Sequence, residues 1–320
     1  VPPLPPPSPL SDPELSIHLE RTSRTFALAI PLLQEPLQRE VGLAYLLLRV
    51  ADTLEDAAPW TREGRRAALE EFERLLQKEA GLEASERVRH WLERRPSENA
   101  HYLRLLEQTP QLLANLEALR PEATAIVRRF VLLTVQGMRR VLAGATEQGQ
   151  LQLGSIQELR DYCYIVAGLV GELLTELFLL DARLALFASE LRALAPLFGE
   201  ALQLVNILKD ATEDREEGRT WLPGTVRLEE VHALARRDLV DAARYVRTLH
   251  AAGASHGVLA FTAMPLLLAH ATLRLLVRQG PGAKVSRAEV TAQMTALQEA
   301  LQRGTLPEEI IQLAQSPREE

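Results

Sequence analysis

The chain has 320 residues, 25% of them charged and 47% hydrophobic, with 15 aromatics and a single cysteine, Cys163. One cysteine excludes a disulfide framework and a CxxC zinc site, and a chain of this length buries roughly 75% of its unfolded surface without either. A formal net charge of −7 excludes the basic stripe that displaces counterions from phosphates, so no nucleic-acid partner is expected.

Residues 1–13 carry seven prolines, which lack the amide a helix needs, and read as a disordered, polyproline-like leader. From residue 14 to 320 the pattern is that of one all-α domain, rich in Leu, Ala, Glu and Arg and poor in β-branched residues. Helical periods run over 15–30, 36–57, 62–78, 83–94, 98–108, 112–119, 121–143 and 156–180, then from about 184 to 217 and from about 229 to the end. Breaks fall at Pro31 and Pro36, at Gly144 and Gly149, and at a Glu217-Gly218-Arg219 turn. No repeat of 20–50 residues is visible.

No basic region followed by an apolar stretch opens the chain, and it closes on the polar AQSPREE. The apolar run 258–269 contains Pro265 and is shorter than the roughly 20 residues a bilayer requires, while 165–180 is interrupted by Glu172 and Glu176. The expectation is a cytoplasmic protein with neither a spanning helix nor a tail anchor.

The chemistry concentrates in one doubled pattern, Asp52-Thr-Leu-Glu55-Asp56 and Asp210-Ala-Thr-Glu213-Asp214. The chain holds only nine Asp, so two copies of DxxED are not an accident of acidic composition. On a helix, i and i+4 share a face, which sets each Asp pair side by side. Such pairs repel by about 0.2–0.5 kcal/mol each, and more strongly when several share a cavity, unless a cation intervenes. Tyr45 and Arg49 lead to the first pattern at helical spacing, as Gln203 and Asn206 lead to the second. Oxygen-only donors select a hard ion, and Mg²⁺ characteristically joins carboxylates to a substrate phosphate. A metal-bound diphosphate is therefore the expected ligand, with Ser23, Arg24, Arg49, Lys209 and Arg219 as polar and cationic partners. Gly168 and Gly171, in DYCYIVAGLVG, mark a face that another helix or an extended chain can approach closely. The seven histidines show no metal spacing, and no GxSxG, P-loop or GxGxxG is present.

The segments TSRTFALAI (22–30), YLLLRVADTLED (45–56), YCYIVAGLVGELLTELF (162–178), QLVNILKDATEDREEGRTWLP (203–223) and FTAMPLLLAHATL (261–273), in that order, resemble squalene and phytoene synthases. The resemblance implies an isoprenoid synthase-type helical bundle around a central active-site cavity, with head-to-head (1′-1) condensation of two prenyl diphosphates. It places Mg²⁺ on Asp52, Asp56, Asp210 and Asp214. Diphosphate oxygens fall to Ser23, Arg24, Arg49, Gln203, Asn206, Lys209 and Arg219. Tyr45 and Tyr162 line the reacting centre, and Phe26 is the hinge of a flap over it. DTLED and VAGLVGELLTELF resemble the squalene branch, and AKVSRAEV (283–290) resembles its basic loop near NADPH, which puts Lys284, Ser286 and Arg287 beside that cofactor. Tyr164 and Ile165 depart from the His and Tyr of many eukaryotic members. The implied activity couples two farnesyl diphosphates to presqualene diphosphate and reduces it to squalene, in a monomer that meets the membrane peripherally to release product. The alternatives are a phytoene or dehydrosqualene synthase without net reduction, and a non-catalytic helical binding protein.

Overall fold

A computed structural model of the chain describes residues 7–23, 26–79, 83–147, 153–216, 227–280 and 282–316, with backbone alone for 212–216. The described residues form helices and connecting turns with no strand, the all-α class expected. They divide into two compact units, Val1–Pro31 with Glu35–Gly149, and Leu32–Gln34 with Gln150–Glu320.

The first unit opens earlier than the sequence suggests. Helix α1 (Asp12–Thr22) takes Pro13 into its first turn, where the missing amide costs nothing. The Glu14 carboxylate accepts from Ser11 N and Oγ at 2.8 and 2.6 Å. Leu10 is buried, its N–H donates to Asn115 Oδ1, and its carbonyl accepts from Asn115 Nδ2, both at 2.8 Å. The leader therefore ends sooner than residue 13, because buried Asn115 satisfies the backbone that the prolines leave unpaired.

The period expected over 15–30 is split at Ser23, which closes α1 and caps α2 (Phe26–Ala29); its Oγ accepts from Phe26 N at 3.0 Å and Ala27 N at 3.2 Å. Helix α3 (Leu37–Glu55) buries Leu46, Leu47, Val50, Ala51 and Leu54 completely, each larger side chain contributing about 1.5–3 kcal/mol. Helices α4 (Arg62–Leu76), α5 (Ala84–Glu93), α6 (Ala100–Glu107), α7 (Thr109–Glu117) and α8 (Pro121–Ala143) follow. Phe72 of α4 and Trp91 of α5 meet edge to face, centroids 6.5 Å apart.

In the second unit the period over 156–180 is not one regular helix. It runs as α9 (Ile156–Cys163), a π-helical stretch Tyr164–Gly168, and α10 (Leu169–Phe178). After a 3₁₀ segment, Ala182–Phe187, come α11 (Ala188–Glu216), α12 (Leu228–Ala251), α13 (His256–Gln279), α14 (Arg287–Gln302) and α15 (Glu308–Gln315). Helix α11 lies backbone-close to the π stretch and α10. A Cβ at Gly171 would stand 2.0 Å from Ala195 O, and one at Gly199 would stand 2.0 Å from Ala167 O, so only glycine fits either place. Helix approach is thus what Gly171 serves. Gly168 instead makes room for the Tyr164 ring, whose Cδ2 would lie 2.7 Å from an added Cβ.

The apolar run 258–269 is the N-terminal half of a longer helix, since Pro265 is accommodated inside α13. By length and composition alone Ala182–Ala211 and His256–Gln279 are long and apolar enough to cross a bilayer, and 61% and 72% of their apolar windows are buried in the fold.

Candidate active site

The first acidic pattern sits at the C-terminal end of α3, below a polar stripe of Tyr45, Arg49, Asp52 and Asp56 at spacings of four, three and four. Tyr45 OH donates to Thr22 O at 2.9 Å, tying the stripe to the end of α1, and accepts from Arg49 Nη2 at 2.9 Å. The Phe26 ring lies 5.8 Å from the Tyr45 ring. Arg49 reaches Asp52 Oδ2 through Nη1 at 3.2 Å, and its guanidinium lies 5.4 and 5.7 Å from the ring centroids of Tyr45 and Tyr102. Its Nε is buried without an acceptor.

Burial opposes the Arg49 charge, but Asp52, Tyr45 and Tyr102 outweigh it and raise the guanidinium above its usual range. Asp52 is pushed up to about 6 by burial, with Asp56 adding and Arg49 opposing. Glu55 is raised well above the carboxylate range by burial and then by Asp56 and Asp52, with Arg65 opposing. Glu55 is 8% exposed, and its Oε1 has no partner. Asp52 and Glu55 thus sit near the negative end of a helix dipole, which, like their burial, disfavours their ionised forms.

The second pattern begins on α11, where Gln203, Asn206 and Asp210 follow at i, i+3 and i+7. Gln203 is half-buried and Asn206 exposed; Lys209 Nζ lies 3.4 Å from both Asn206 Oδ1 and Asp210 Oδ2. The backbone N–H of Gly282 donates to Lys209 O at 3.3 Å, which brings the segment leading to Lys284 against this part of α11. Lys284 and Arg287 are exposed, and Ser286 caps α14 by accepting from Glu289 N at 3.1 Å. Tyr162 is buried in the last turn of α9. Two residues on, Tyr164 OH donates to Glu172 at 3.3 Å across the π-helical turn, a geometry that recurs at functional sites. Arg24, Arg219 and the side chain of Asp214 lie outside the described residues.

Among the described residues no three His, Cys, Asp or Glu side chains converge as a metal centre. The donor chemistry nonetheless suits a hard divalent ion: the carboxylates of Asp52 and Asp56 share one face, and Glu55 Oε1 is buried without a partner. Sequence reasoning missed Tyr102, Arg65 and the Glu172 partner of Tyr164. Tyr102 and Arg65 meet the motif only through folding, whereas Glu172 is eight residues from Tyr164 and would have needed the π register to be recognised.

An all-helical chain with two DxxED motifs, each led by a polar stripe, defines a class of protein, and comparison with known proteins gives that class a family. The model of the squalene/phytoene synthase family matches residues 19–298, and the chain belongs to that family. It is 31% identical over 210 residues to a probable squalene synthase of Neurospora crassa, an alignment covering 65% of this chain and 41% of that relative. The chain thus spans less than half the length of that curated relative. Its fold is similar to that of TcSQS in complex with the ligand BPH1237, with a TM-score of 0.75, 21% identity, and coverage of 94% of this chain and 88% of that one. A dehydrosqualene synthase in complex with a ligand matches with a TM-score of 0.60 and 20% identity, over 91% of this chain and 96% of that one.

Proposed function

We propose that the chain condenses two farnesyl diphosphates head to head to presqualene diphosphate and reduces that intermediate to squalene with NADPH, in the cytoplasm and in peripheral contact with a membrane. The observation that supports this reading most directly is the stripe Tyr45, Arg49, Asp52 and Asp56, with its counterpart Gln203, Asn206, Lys209 and Asp210. Asp52 with Asp56, and Asp210 with Asp214, are the pairs that would hold Mg²⁺. When bound, that ion neutralises the diphosphate that leaves, and NADPH provides the hydride of the second half-reaction.

The remaining work falls to the chain's own side chains. Arg49, already steered by Tyr45 and two aromatic faces, presents its guanidinium to diphosphate oxygens in a fixed orientation, and Lys209 does the same beside Asp210. Ser23, Arg24, Gln203, Asn206 and Arg219 complete the grip. Phe26, packed on Tyr45, and Tyr162, buried in α9, keep water from the allylic cation once its C–O bond has broken. The exposed cations Lys284 and Arg287 suit a dinucleotide phosphate, and Ser286 keeps its O–H free to donate while its oxygen caps α14.

The test is incubation of the chain with farnesyl diphosphate and Mg²⁺, with and without NADPH, and mass spectrometry of the extracted products. Squalene only with NADPH, and presqualene diphosphate without it, is the expected result. Dehydrosqualene irrespective of NADPH, or coupling of geranylgeranyl diphosphate instead, would move the chain to the non-reducing branch. No coupling of either substrate would overturn the enzymatic reading.

A further inference from the structure

Beyond the two acidic motifs, one buried cation stands against the first of them from a neighbouring helix. Arg65 lies in the first turns of α4, is 8% exposed, and reaches back over the elbow that joins α3 to α4. Its Nε donates to Ala57 O at 3.0 Å and its Nη1 to Glu55 O at 3.4 Å, so the guanidinium brackets Asp56 through the carbonyls on either side of it. The Glu55 carbonyl ends α3 and the Ala57 carbonyl lies just past it, where intrahelical donors run out. Asp56 itself is the C-cap, its N–H donating to Asp52 O at 2.8 Å.

The elbow is closed on its other side as well. Trp60 N donates to Ala57 O at 2.9 Å, Trp60 Nε1 donates to Arg94 O at 2.8 Å, and the Arg94 guanidinium lies 4.4 Å from the Trp60 ring centroid. The Arg94 guanidinium also lies over Gly64, where an added Cβ would stand 2.6 Å from Arg94 Nη2. A buried side chain that spends two donors on main-chain carbonyls fixes a backbone, and the backbone it fixes carries a proposed metal ligand. We infer that Arg65 is a positioning residue, holding Asp56 and the end of α3 in the arrangement that binds the cation, through a two-carbonyl fork that Lys cannot reproduce.

The inference rests on the reading of Asp52 and Asp56 as cation ligands, and its test separates the two. Mn²⁺, as a paramagnetic stand-in for Mg²⁺, is titrated into the full chain with inorganic pyrophosphate, and the free ion is followed by electron paramagnetic resonance. Wild type, Asp52→Asn, Arg65→Met, Arg65→Lys and Leu76→Ala are compared, each with its melting temperature. The expected result is about tenfold weaker Mn²⁺ binding in Arg65→Met and a smaller but clear weakening in Arg65→Lys. Leu76→Ala, which opens a cavity on α4 far from the fork, should lower the melting temperature and leave affinity unchanged.

Arg65→Lys keeps the charge, so it remains informative if Arg65→Met does not fold. Wild-type affinity in Arg65→Lys would show that charge alone matters and overturn the proposal. Tighter binding in Arg65→Met would make Arg65 a competitor of the metal and overturn it equally. Affinity loss in Leu76→Ala matching that of the Arg65 variants would reduce the effect to general destabilisation. Wild type without Mn²⁺ binding, or Asp52→Asn equal to wild type, would instead remove the metal reading of the motif on which the proposal stands.

Discussion

Arg49 is held more firmly than a surface arginine because three different forces act on it at once. Its ion pair with Asp52 joins two side chains that are 27% and 34% exposed, and by itself contributes at most about 1 kcal/mol. Two ring faces and the Tyr45 hydroxyl add directional restraint, so the guanidinium is oriented before any ligand arrives. Tyr45 is the hinge of this arrangement, giving its proton to Thr22 O while accepting from Arg49. Tyr45→Phe should therefore cost about 1–2 kcal/mol, read as a melting-temperature drop of a few degrees, by leaving a buried carbonyl and a guanidinium nitrogen short of partners. Tyr102→Phe keeps the ring that faces Arg49 and should change little; an equal drop in both variants would contradict this account.

At the scale of elements, the junction of α9, α11 and α12 carries a charge problem that has a pH signature. Glu200 of α11 and Asp238 of α12 are 6% and 4% exposed, and each has an oxygen without a hydrogen-bond partner. The nearby guanidinium of Arg160 on α9 lies 3.5 Å from Glu200 Oε2. Asp238 is pushed up to about 7 by burial, with Arg160 and Arg237 opposing and Glu200 and Asp241 adding, and Glu200 is raised by burial as well. Cys163, beside them, is raised by burial and stays a neutral thiol.

The folded state thus holds the Asp238 proton more tightly than the unfolded chain does. The stability it supplies is complete below about pH 4 and is lost as the pH climbs to about 7. Asn cannot ionise, so the melting temperature of Asp238→Asn minus that of wild type should grow from pH 5 to pH 8, a gain on the order of 3 kcal/mol. Parallel curves at a constant offset would contradict the assignment.

How much of this was legible in the sequence follows from where each signal resides. Helix α8 matches its expected bounds because Pro121 and Gly144 mark its ends locally. Helix α7 begins at Thr109, three residues before its apolar period, because Pro110 opens it, a signal present in the sequence but outweighed there by the spacing of leucines. The π-helical stretch was not legible: it lies where Ala167 approaches the backbone of Gly199, 32 positions along the chain. The doubled acidic motif, being local, was visible at once. Its supports were not: Tyr102 joins Arg49 from α6, and Arg65 returns to Glu55 and Ala57 from α4, contacts that no spacing along one helix reveals.

For the whole molecule, the family assignment and the all-α fold rest on most of the chain, whereas the chemistry rests on a few acidic side chains in each of two units. Asp52 is the sharpest case, since burial pushes it up to about 6 although Arg49 stands 3.2 Å away, so a further cation would favour its ionised form. The most direct test is the rate at which farnesyl diphosphate is converted to a coupled C30 product by wild type, Asp52→Asn and Asp210→Asn, each with its melting temperature. The account predicts turnover lower by at least about 10²–10³ in both variants, with Asp52→Asn melting no lower than wild type. Near-wild-type turnover in either variant would contradict it.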